Sequence, residues 1–208
     1  MESKDGGMKI ITFYNDNIPQ PVVNAQKAVF DKFRIPVEQT LTHMSHPDAI
    51  DDYIGNNQFN VLIIFDIDCI PLTKKAVTEA IEIVTETDCV YGAIQNANHV
   101  EGSADYASPA FICFSMRTFK LIGGPSFKPT RRGDVGAELT YRAREKNISV
   151  KLLRVAEVSV PLWKLSDGTS FGHGTNYDNK VFHAFESSRS HTSNMIFIKK
   201  CMEILGKS

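Results

Sequence analysis

Two aspartates follow the most apolar stretch of the chain. Asp66 and Asp68 come directly after residues 60–65, NVLIIF. Near the end of a strand, side chains two positions apart project in similar directions, so both carboxylates can face one site. Carboxylates this close repel each other unless a cation lies between them. We therefore predict a site for Mg²⁺ or Mn²⁺, which bind oxygen ligands and substrate phosphates. The alternative is that one aspartate caps the following turn while the other is solvated.

The segments that must position these aspartates alternate between strand and helix patterns over the first half of the chain. Such alternation is typical of an α/β fold, in which a mainly parallel sheet is flanked by helices and ligands bind at the carboxyl ends of the strands. The predicted strands are residues 8–14, 35–41, 60–65 and 89–94, and the predicted helices start at Pro19, His46 and Thr73.

The second half of the chain alternates less regularly. We expect a loop over residues 95–109. Residues 165–179 are rich in Gly, Ser, Thr, Asp and Asn, which predicts a long mobile loop that could close over a ligand as a lid. The other predicted elements are a strand at 110–115, helical segments at 117–122 and 135–147, one or two strands within 149–160, and a helix at 194–205.

Length and composition favour one globular domain. The chain has 208 residues, of which 42% are hydrophobic and 23% charged, as is usual for globular proteins. No linker or repeat divides it, so we predict a single domain over residues 8–208 after a disordered tail at 1–7. The four cysteines form no C-x-x-C pair, which argues against a zinc site and favours a reducing cytoplasm. No apolar run is long enough to predict a membrane span.

The charge is unevenly distributed. The net charge is −1, yet residues 128–154 contain eight basic and three acidic side chains, a local excess of +5. The rest of the chain therefore carries −6. Such a window is often only a solvated surface, but it can also attract an anionic partner.

Residues 61–81, VLIIFDIDCIPLTKKAVTEAI, resemble the D-x-D segment of GT-A-fold glycosyltransferases. In that family an apolar strand ends in Asp-x-Asp and is followed by an apolar-Pro turn and a helix. Three later segments resemble the family in its order: residues 108–124, residues 133–147, and the His-containing residues 182–191. The resemblance implies a GT-A-like (Rossmann-related) fold and a metal-dependent transfer of a sugar from a nucleotide-diphosphate sugar to a hydroxyl group.

The resemblance also implies roles for the residues around the metal. Asp68 would bind Mn²⁺ or Mg²⁺ directly, while Asp66 would hold the metal, the donor ribose or a metal-bound water. His183 would be the third protein ligand, and its alternative is a histidine that merely packs between phenylalanines. His173 competes with His183 for this role.

Further residues would bind the donor and act on the acceptor. Asp134, at the start of a predicted helix, would be the general base, with Glu138 one turn later as the other candidate. The family more often has a second acid beside this position, where this chain has Gly133. On the donor side, the resemblance places three residues at the nucleobase and ribose and one at the diphosphate: Thr12, Tyr14, Asn15 and, for the diphosphate, Arg189.

The basic window surrounds Asp134, on the acceptor side of the predicted site. We therefore expect an anionic acceptor, for which a nucleic acid, a phosphorylated lipid and an anionic glycan are the alternatives. The compact chain resembles small bacterial and bacteriophage glycosyltransferases, some of which modify hydroxymethylated DNA. We expect a cytoplasmic location, which would be the host's cytoplasm if the protein is encoded by a bacteriophage.

Two other functions fit parts of the sequence. Residues 65–68, FDID, resemble the nucleophile motif of haloacid-dehalogenase-type phosphatases, in which Asp66 would attack phosphorus and Asp68 would act as acid and base. In this chain, however, Cys69 and Ile70 stand where that family has Gly-Thr. The other alternative is a non-catalytic module that binds a nucleotide sugar or a nucleic acid, which would bind metal and nucleotide without turnover.

Overall fold

The computed structural model describes residues 7–207, so the tail predicted for residues 1–7 lies outside the described residues except for Gly7. Within residues 7–207, ten strands form two sheets. They are β1 (Met8–Tyr14), β2 (Glu38–Leu41), β3 (Val61–Phe65), β4 (Cys69–Pro71), β5 (Val90–Gln95), β6 (Tyr106–Ser115), β7 (Val150–Leu153), β8 (Val155–Lys164), β9 (Ser170–Tyr177) and β10 (Val181–His183).

Six helices accompany the sheets. None of them, within residues 7–207, combines the length and the apolar character that crossing a membrane requires. They are α1 (Gln20–Phe33), α2 (His46–Asn56), α3 (Lys74–Thr87), α4 (Met116–Leu121), α5 (Ala137–Glu145) and α6 (His191–Leu205).

The larger sheet has the order β2-β1-β3-β6-β5-β7. Strand β1 is parallel to β2 and β3, and β5 is parallel to β7, whereas β6 runs antiparallel to β3 and β5. The smaller sheet is antiparallel, with the order β4-β10-β9-β8. The predicted α/β class with a mainly parallel central sheet is confirmed.

Strand β3 is buried along its whole length because helices cover both faces of the larger sheet. Ile63 and Phe65 belong to the core on one face, where α1 and α3 pack. Leu62 and Ile64 belong to the core on the other face, where α2 and α5 pack. Burial on both faces explains why the strand is continuously apolar rather than alternating.

The prediction of a mobile loop over residues 165–179 is wrong, because most of this segment is strand β9. Only a short turn precedes β9, which lies in the smaller sheet between β8 and β10. Its small and polar residues are accommodated because β8 approaches closely at Gly172 and because Thr175 Oγ1 donates a hydrogen bond to the carbonyl of Gly172 at 2.7 Å. This region is therefore not a lid.

The loop predicted for residues 95–109 is too long, and the strand predicted to follow it is too short. Strand β6 begins at Tyr106, four residues before the predicted start, and extends past the carboxyl end of β3. Pro109 made the start of this strand hard to predict, because proline has no backbone N–H to donate to a neighbouring strand. The pairing of β5 with β6 shifts register between Gly92 and Ala93, which accommodates the irregularity.

The close approach of β8 and β9 predicts the effect of one substitution. A Cβ at Gly172 would lie 2.3 Å from the carbonyl oxygen of Val160. We expect Gly172→Ala to lower the free energy of unfolding by about 1–3 kcal/mol, because the two strands must separate. Gly55, in α2, is the control: its Cβ would meet nothing within 4 Å, and Gly55→Ala should raise stability by about 0.5–1 kcal/mol. Urea unfolding of both variants measures the difference. Equal stabilities would contradict the described pairing.

Candidate metal centre

A buried amide holds the turn that carries the two aspartates. The Nε2 of Gln26, in α1, donates to the carbonyls of Asp66 at 2.7 Å and Cys69 at 2.9 Å. Its Oε1 accepts a hydrogen bond from Gln39 at 2.8 Å. All of its polar atoms are thereby used, as burial requires. The turn between β3 and β4 is therefore fixed independently of the aspartate side chains.

Asp68 is buried and bonded on both carboxylate oxygens. His183 Nε2 lies 3.1 Å from Oδ1, and the backbone N–H of Ser187 donates to Oδ2 at 3.2 Å. The backbone carbonyl of Asp68 accepts from Ala184 N–H at 2.9 Å. Burial acts to raise the pKa of Asp68, but His183 and Ser187 outweigh it and lower this pKa below its usual value. The carboxylate is therefore charged at neutral pH.

Asp66 lies at the mouth of the site, with its side chain 29% exposed. Its Oδ1 is 3.3 Å from His46 Nε2, and its Oδ2 is 3.7 Å from His183 Nε2. The contact with His46 lacks hydrogen-bond geometry, so the buried Nε2 of His46 has no hydrogen-bond partner within residues 7–207. Asp66 is therefore less constrained than Asp68.

His183 reaches the aspartates through the smaller sheet. Strand β10 pairs antiparallel with β4, and His183 lies opposite Cys69 in that ladder. The imidazole packs on Phe185, with 3.7 Å between ring centroids. Its Nδ1 is buried and has no hydrogen-bond partner among the described residues. The aromatic contact sets the ring so that Nε2 faces both carboxylates.

Asp66, Asp68 and His183 fit a divalent cation. One ligand atom from each residue lies within 4.8 Å of the other two. Ligands about 2.1 Å from Mg²⁺ are separated by roughly 3 Å when adjacent and about 4.2 Å when opposite, so these spacings suit one ion after small adjustments. A dication also offsets the repulsion between two carboxylates in a partly dry site. His173 lies outside this group and contacts Glu186 instead.

A cavity of about 330 Å³ opens beside these ligands. Of the predicted donor-binding residues, Tyr14, Asn15 and Arg189 line it together with both aspartates. Thr12 does not, because its side chain is fully buried in β1. The structure thus brings residues from β1, from the β3–β4 turn and from the segment after β10 to one cavity.

The two predicted acceptor-side acids do not line this cavity. Asp134 lies in the turn before α5, where its Oδ1 accepts a hydrogen bond from Val135 N–H at 2.8 Å.

Glu138 is held in an ion-pair network. Arg132 donates to both of its oxygens at 2.7 Å, Thr130 donates at 2.9 Å, and Arg142 lies 3.6 Å away. The hydrogen bonds from Arg132 are the main cause that lowers the pKa of Glu138. A carboxylate so held is a poor proton acceptor, and the geometry favours a structural role.

Gly133 departs from the family pattern for a steric reason. A Cβ at this position would lie 2.6 Å from that of Ala137 and 2.9 Å from the ring of Tyr141. No acidic side chain fits there while α5 keeps its place. The neighbouring carboxylate expected by the family pattern is therefore excluded by packing.

Three of the eight basic side chains of the window, Lys128, Arg132 and Arg142, form ion pairs within residues 7–207. Lys128 pairs with Asp48 at 2.8 Å, and Arg132 pairs with Glu138 and Glu145. Arg131 and Lys146 are exposed, and neither makes an ion pair with another residue of 7–207. These two side chains carry positive charge that is free for a partner.

Several residues of the site were missed by the sequence analysis. Gln26 could have been noticed as the polar member of an apolar helix face, since its neighbours on α1 are buried valines and Phe30. His46 has no local pattern that marks it, and Glu186 and Ser187 lie within residues 182–191, where the sequence analysis assigned roles only to His183 and Arg189. They meet the site only because α2 and the segment after β10 converge on Asp66 and Asp68.

Comparison with solved structures shows a similarity in fold. The mannosyltransferase PcManGT from Pyrobaculum calidifontis, solved in complex with GDP-Man and Mn²⁺, superposes with a TM-score of 0.51 at 10% identity, over 72% of this chain and 55% of that chain. This chain therefore spans just over half of that enzyme's length. The similarity confirms the GT-A-like fold class.

Two further solved structures are more distant. A197 from STIV has a TM-score of 0.40 at 11% identity, covering 79% of this chain and 93% of that one. A protein described as a glucose-1-phosphate thymidylyltransferase from Bacillus anthracis, in complex with a sucrose, has a TM-score of 0.44 at 10% identity, covering 70% and 86%. No family model and no curated protein sequence matches the chain.

The network around Glu138 predicts a pH-dependent effect on stability. Glu138 has a lowered pKa in the folded protein, so the stability it contributes is present above its unfolded pKa and lost as the pH falls through the folded value. We expect Glu138→Gln to cost about 1.5–3 kcal/mol at pH 7. This deficit should shrink below about pH 4.5, where the unfolded wild-type carboxyl is protonated. Denaturant unfolding at pH 7 and pH 3.5 tests this, and an equal deficit at both values would contradict it.

Proposed function

We propose that the protein is a metal-dependent glycosyltransferase that moves a sugar from a nucleotide-diphosphate sugar to an acceptor hydroxyl. The observation that carries this proposal is the convergence of Asp66, Asp68 and His183 beside a cavity at the carboxyl end of β3. Ligands of α/β sheets bind at this edge. The similarity in fold to a mannosyltransferase supports the same class.

Different residues of the cavity would bind different parts of the donor. Asp68 and His183 would hold the cation, and Asp66 would either complete its ligand set or hold the donor ribose. When bound, Mn²⁺ or Mg²⁺ would supply the positive charge that stabilises the leaving nucleoside diphosphate. The guanidinium of Arg189 offers paired N–H donors suited to a diphosphate. Tyr14 would stack on the nucleobase, and Asn15 would hydrogen-bond its edge.

The arrangement favours this function over the phosphatase alternative. A phosphatase would need Asp66 as a nucleophile and Asp68 as a free acid and base. Both oxygens of Asp68 instead accept contacts from His183 and Ser187, and Asp68 is only 4% exposed. A buried carboxylate held in this way is suited to ligand a cation rather than to exchange protons with substrate.

We further propose an anionic acceptor. Arg131 and Lys146 line a surface cavity of about 850 Å³ that also includes Lys128, Arg132 and Arg142. The excess of positive charge there would attract phosphate or other anionic groups. Hydroxymethylated DNA, a phosphorylated lipid and an anionic glycan are the acceptors to be compared.

Removing a proposed metal ligand should weaken cation binding and reduce transfer. We expect Asp68→Asn and His183→Gln to weaken Mn²⁺ binding at least tenfold, since each removes one of three protein ligands. Isothermal titration with Mn²⁺ alone, and then with Mn²⁺ and nucleoside diphosphates, measures this directly. Donor turnover with each nucleotide sugar provides the activity.

Asp52→Asn and His99→Gln are the controls, because both residues are exposed and neither belongs to the metal group. Full Mn²⁺ affinity in Asp68→Asn would rule out the metal centre. Binding of Mn²⁺ and nucleotide by the wild type, with no turnover for any acceptor, would instead favour a non-catalytic binding module.

Reversing the free positive charge should impair use of an anionic acceptor. We expect Arg131→Glu with Lys146→Glu to raise the acceptor KM about tenfold at low salt while leaving donor affinity unchanged. Lys74→Glu with Lys75→Glu is the matched control, since those lysines are exposed at the start of α3, which packs on the opposite face of the larger sheet. Equal losses in the two double variants would show that only net charge matters.

A further inference from the structure

The cavity contains one carboxylate that the metal centre does not use. Within residues 7–207, three acidic side chains line it, and two of them are Asp66 and Asp68. The third is Glu186, in the segment between β10 and α6. Resting on the proposed function, we propose that Glu186 is the catalytic base that accepts the proton of the acceptor hydroxyl, with His173 as the residue that positions it.

Glu186 has the geometry of a base held by a partner. Its Oε2 lies 3.2 Å from Nε2 of His173, whose side chain is only 10% exposed. The His173 ring lies at the edge of the Trp163 ring, 6.4 Å between centroids, which fixes its orientation. Oε1 is only loosely engaged, with Arg189 Nε at 3.8 Å. One oxygen is thus anchored by His173, while the other makes only a long ion pair and has no hydrogen bond within residues 7–207, as in an oriented catalytic carboxylate.

The backbone is strained at Glu186 and at the residue before it. Phe185 and Glu186 have φ of 65° and 54°, in the left-handed region that bulky residues seldom adopt. Such strain persists only where the surroundings impose it, and it is frequent at active sites. Here the ring of Phe185 packs on His183, and the carbonyl of Glu186 accepts two hydrogen bonds, from Arg189 N–H and Ser190 N–H.

The same turn joins the base to the metal centre. Ser187, directly after Glu186, donates its N–H to Asp68. The Oγ of Ser187 is buried and has no hydrogen-bond partner within residues 7–207. Any displacement of the turn would therefore move Glu186 and loosen Asp68 together. The hydrogen bond from Ser187 to Asp68 would thus fix Glu186 relative to a cation bound by Asp68, and hence relative to the donor.

The other acids are less well placed. Asp134 does not line the cavity, and its Oδ1 bonds to the backbone of Val135. Glu138 is engaged by Arg132 on both oxygens. Of Asp134, Glu138 and Glu186, Glu186 alone lines the cavity and has a buried histidine beside its carboxylate.

The proposed step is a balanced group transfer. The acceptor oxygen forms a bond to the anomeric carbon as the bond from that carbon to the diphosphate oxygen breaks. The electron pair of the broken bond leaves with the nucleoside diphosphate. The hydroxyl proton passes to the carboxylate of Glu186 and from there to water.

Glu186→Gln separates proton transfer from binding. We expect it to reduce kcat for transfer by about 10²–10⁴-fold, the usual contribution of a general base. The affinities for Mn²⁺ and for nucleoside diphosphate, measured by titration calorimetry, should stay within twofold of wild type. Glu203→Gln, an exposed acid on α6, is the control. Formate should partly restore transfer to Glu186→Ala, which a purely structural role would not allow.

His173 is tested through two replacements. His173→Gln keeps an N–H donor for Glu186, whereas His173→Leu does not. We expect kcat to fall further in the leucine variant, with the donor KM unchanged in both. Equal rates in the two variants would overturn the positioning role.

Three results would overturn the assignment of the base. One is a transfer rate of Glu186→Gln within threefold of wild type, together with loss of transfer in Asp134→Asn, which would assign the base to Asp134. The second is loss of Mn²⁺ or nucleotide binding in Glu186→Gln, which would make Glu186 a donor-binding residue. The third is absence of both metal-dependent nucleotide binding and transfer in the wild type, which would overturn the proposed function and this assignment with it.

Discussion

The site depends on the hydrogen bonds that tie Asp68 to the segment following β10. Strand β4 is only three residues long, yet its pairing with β10 places His183 opposite Cys69, and the N–H groups of Ala184 and Ser187 then bond to Asp68. Two parts of the chain separated by more than a hundred residues therefore share one carboxylate. Without these bonds a buried negative charge would have no compensation, which is costly in a protein interior.

A second constraint is that an uncharged side chain, Gln26, fixes the backbone of the turn that carries the two aspartates. Gln26 fixes the carbonyls of Asp66 and Cys69, so the backbone of the turn does not rely on the metal for its shape. Because β3 is buried on both faces, its carboxyl end can move little. The backbone that carries the two carboxylates is consequently fixed, so the proposed cation would require only small side-chain adjustments.

The acidic side chains fall into two groups with different physical roles. Glu138 stabilises the region before and along α5 through Arg132, and packing at Gly133 excludes a further acid there. Glu186 instead faces the cavity from a strained turn and is held by a buried histidine. The region before α5 is thus held by ion pairs, while the segment after β10 carries less favourable backbone geometry at Phe185 and Glu186.

The sequence by itself determined the α/β class, the central strand, and the aspartate pair at its end, because these depend on local hydrophobic patterns and short spacing. It also singled out Tyr14, Asn15 and Arg189, which the fold brings to one cavity. Only the tertiary structure decided that residues 170–177 form a strand, since their small polar side chains are stabilised by neighbouring strands rather than by their own pattern. It alone places His183 beside the two aspartates and His173 beside Glu186, because both placements follow from long-range strand pairing, which leaves no periodic signal in the chain.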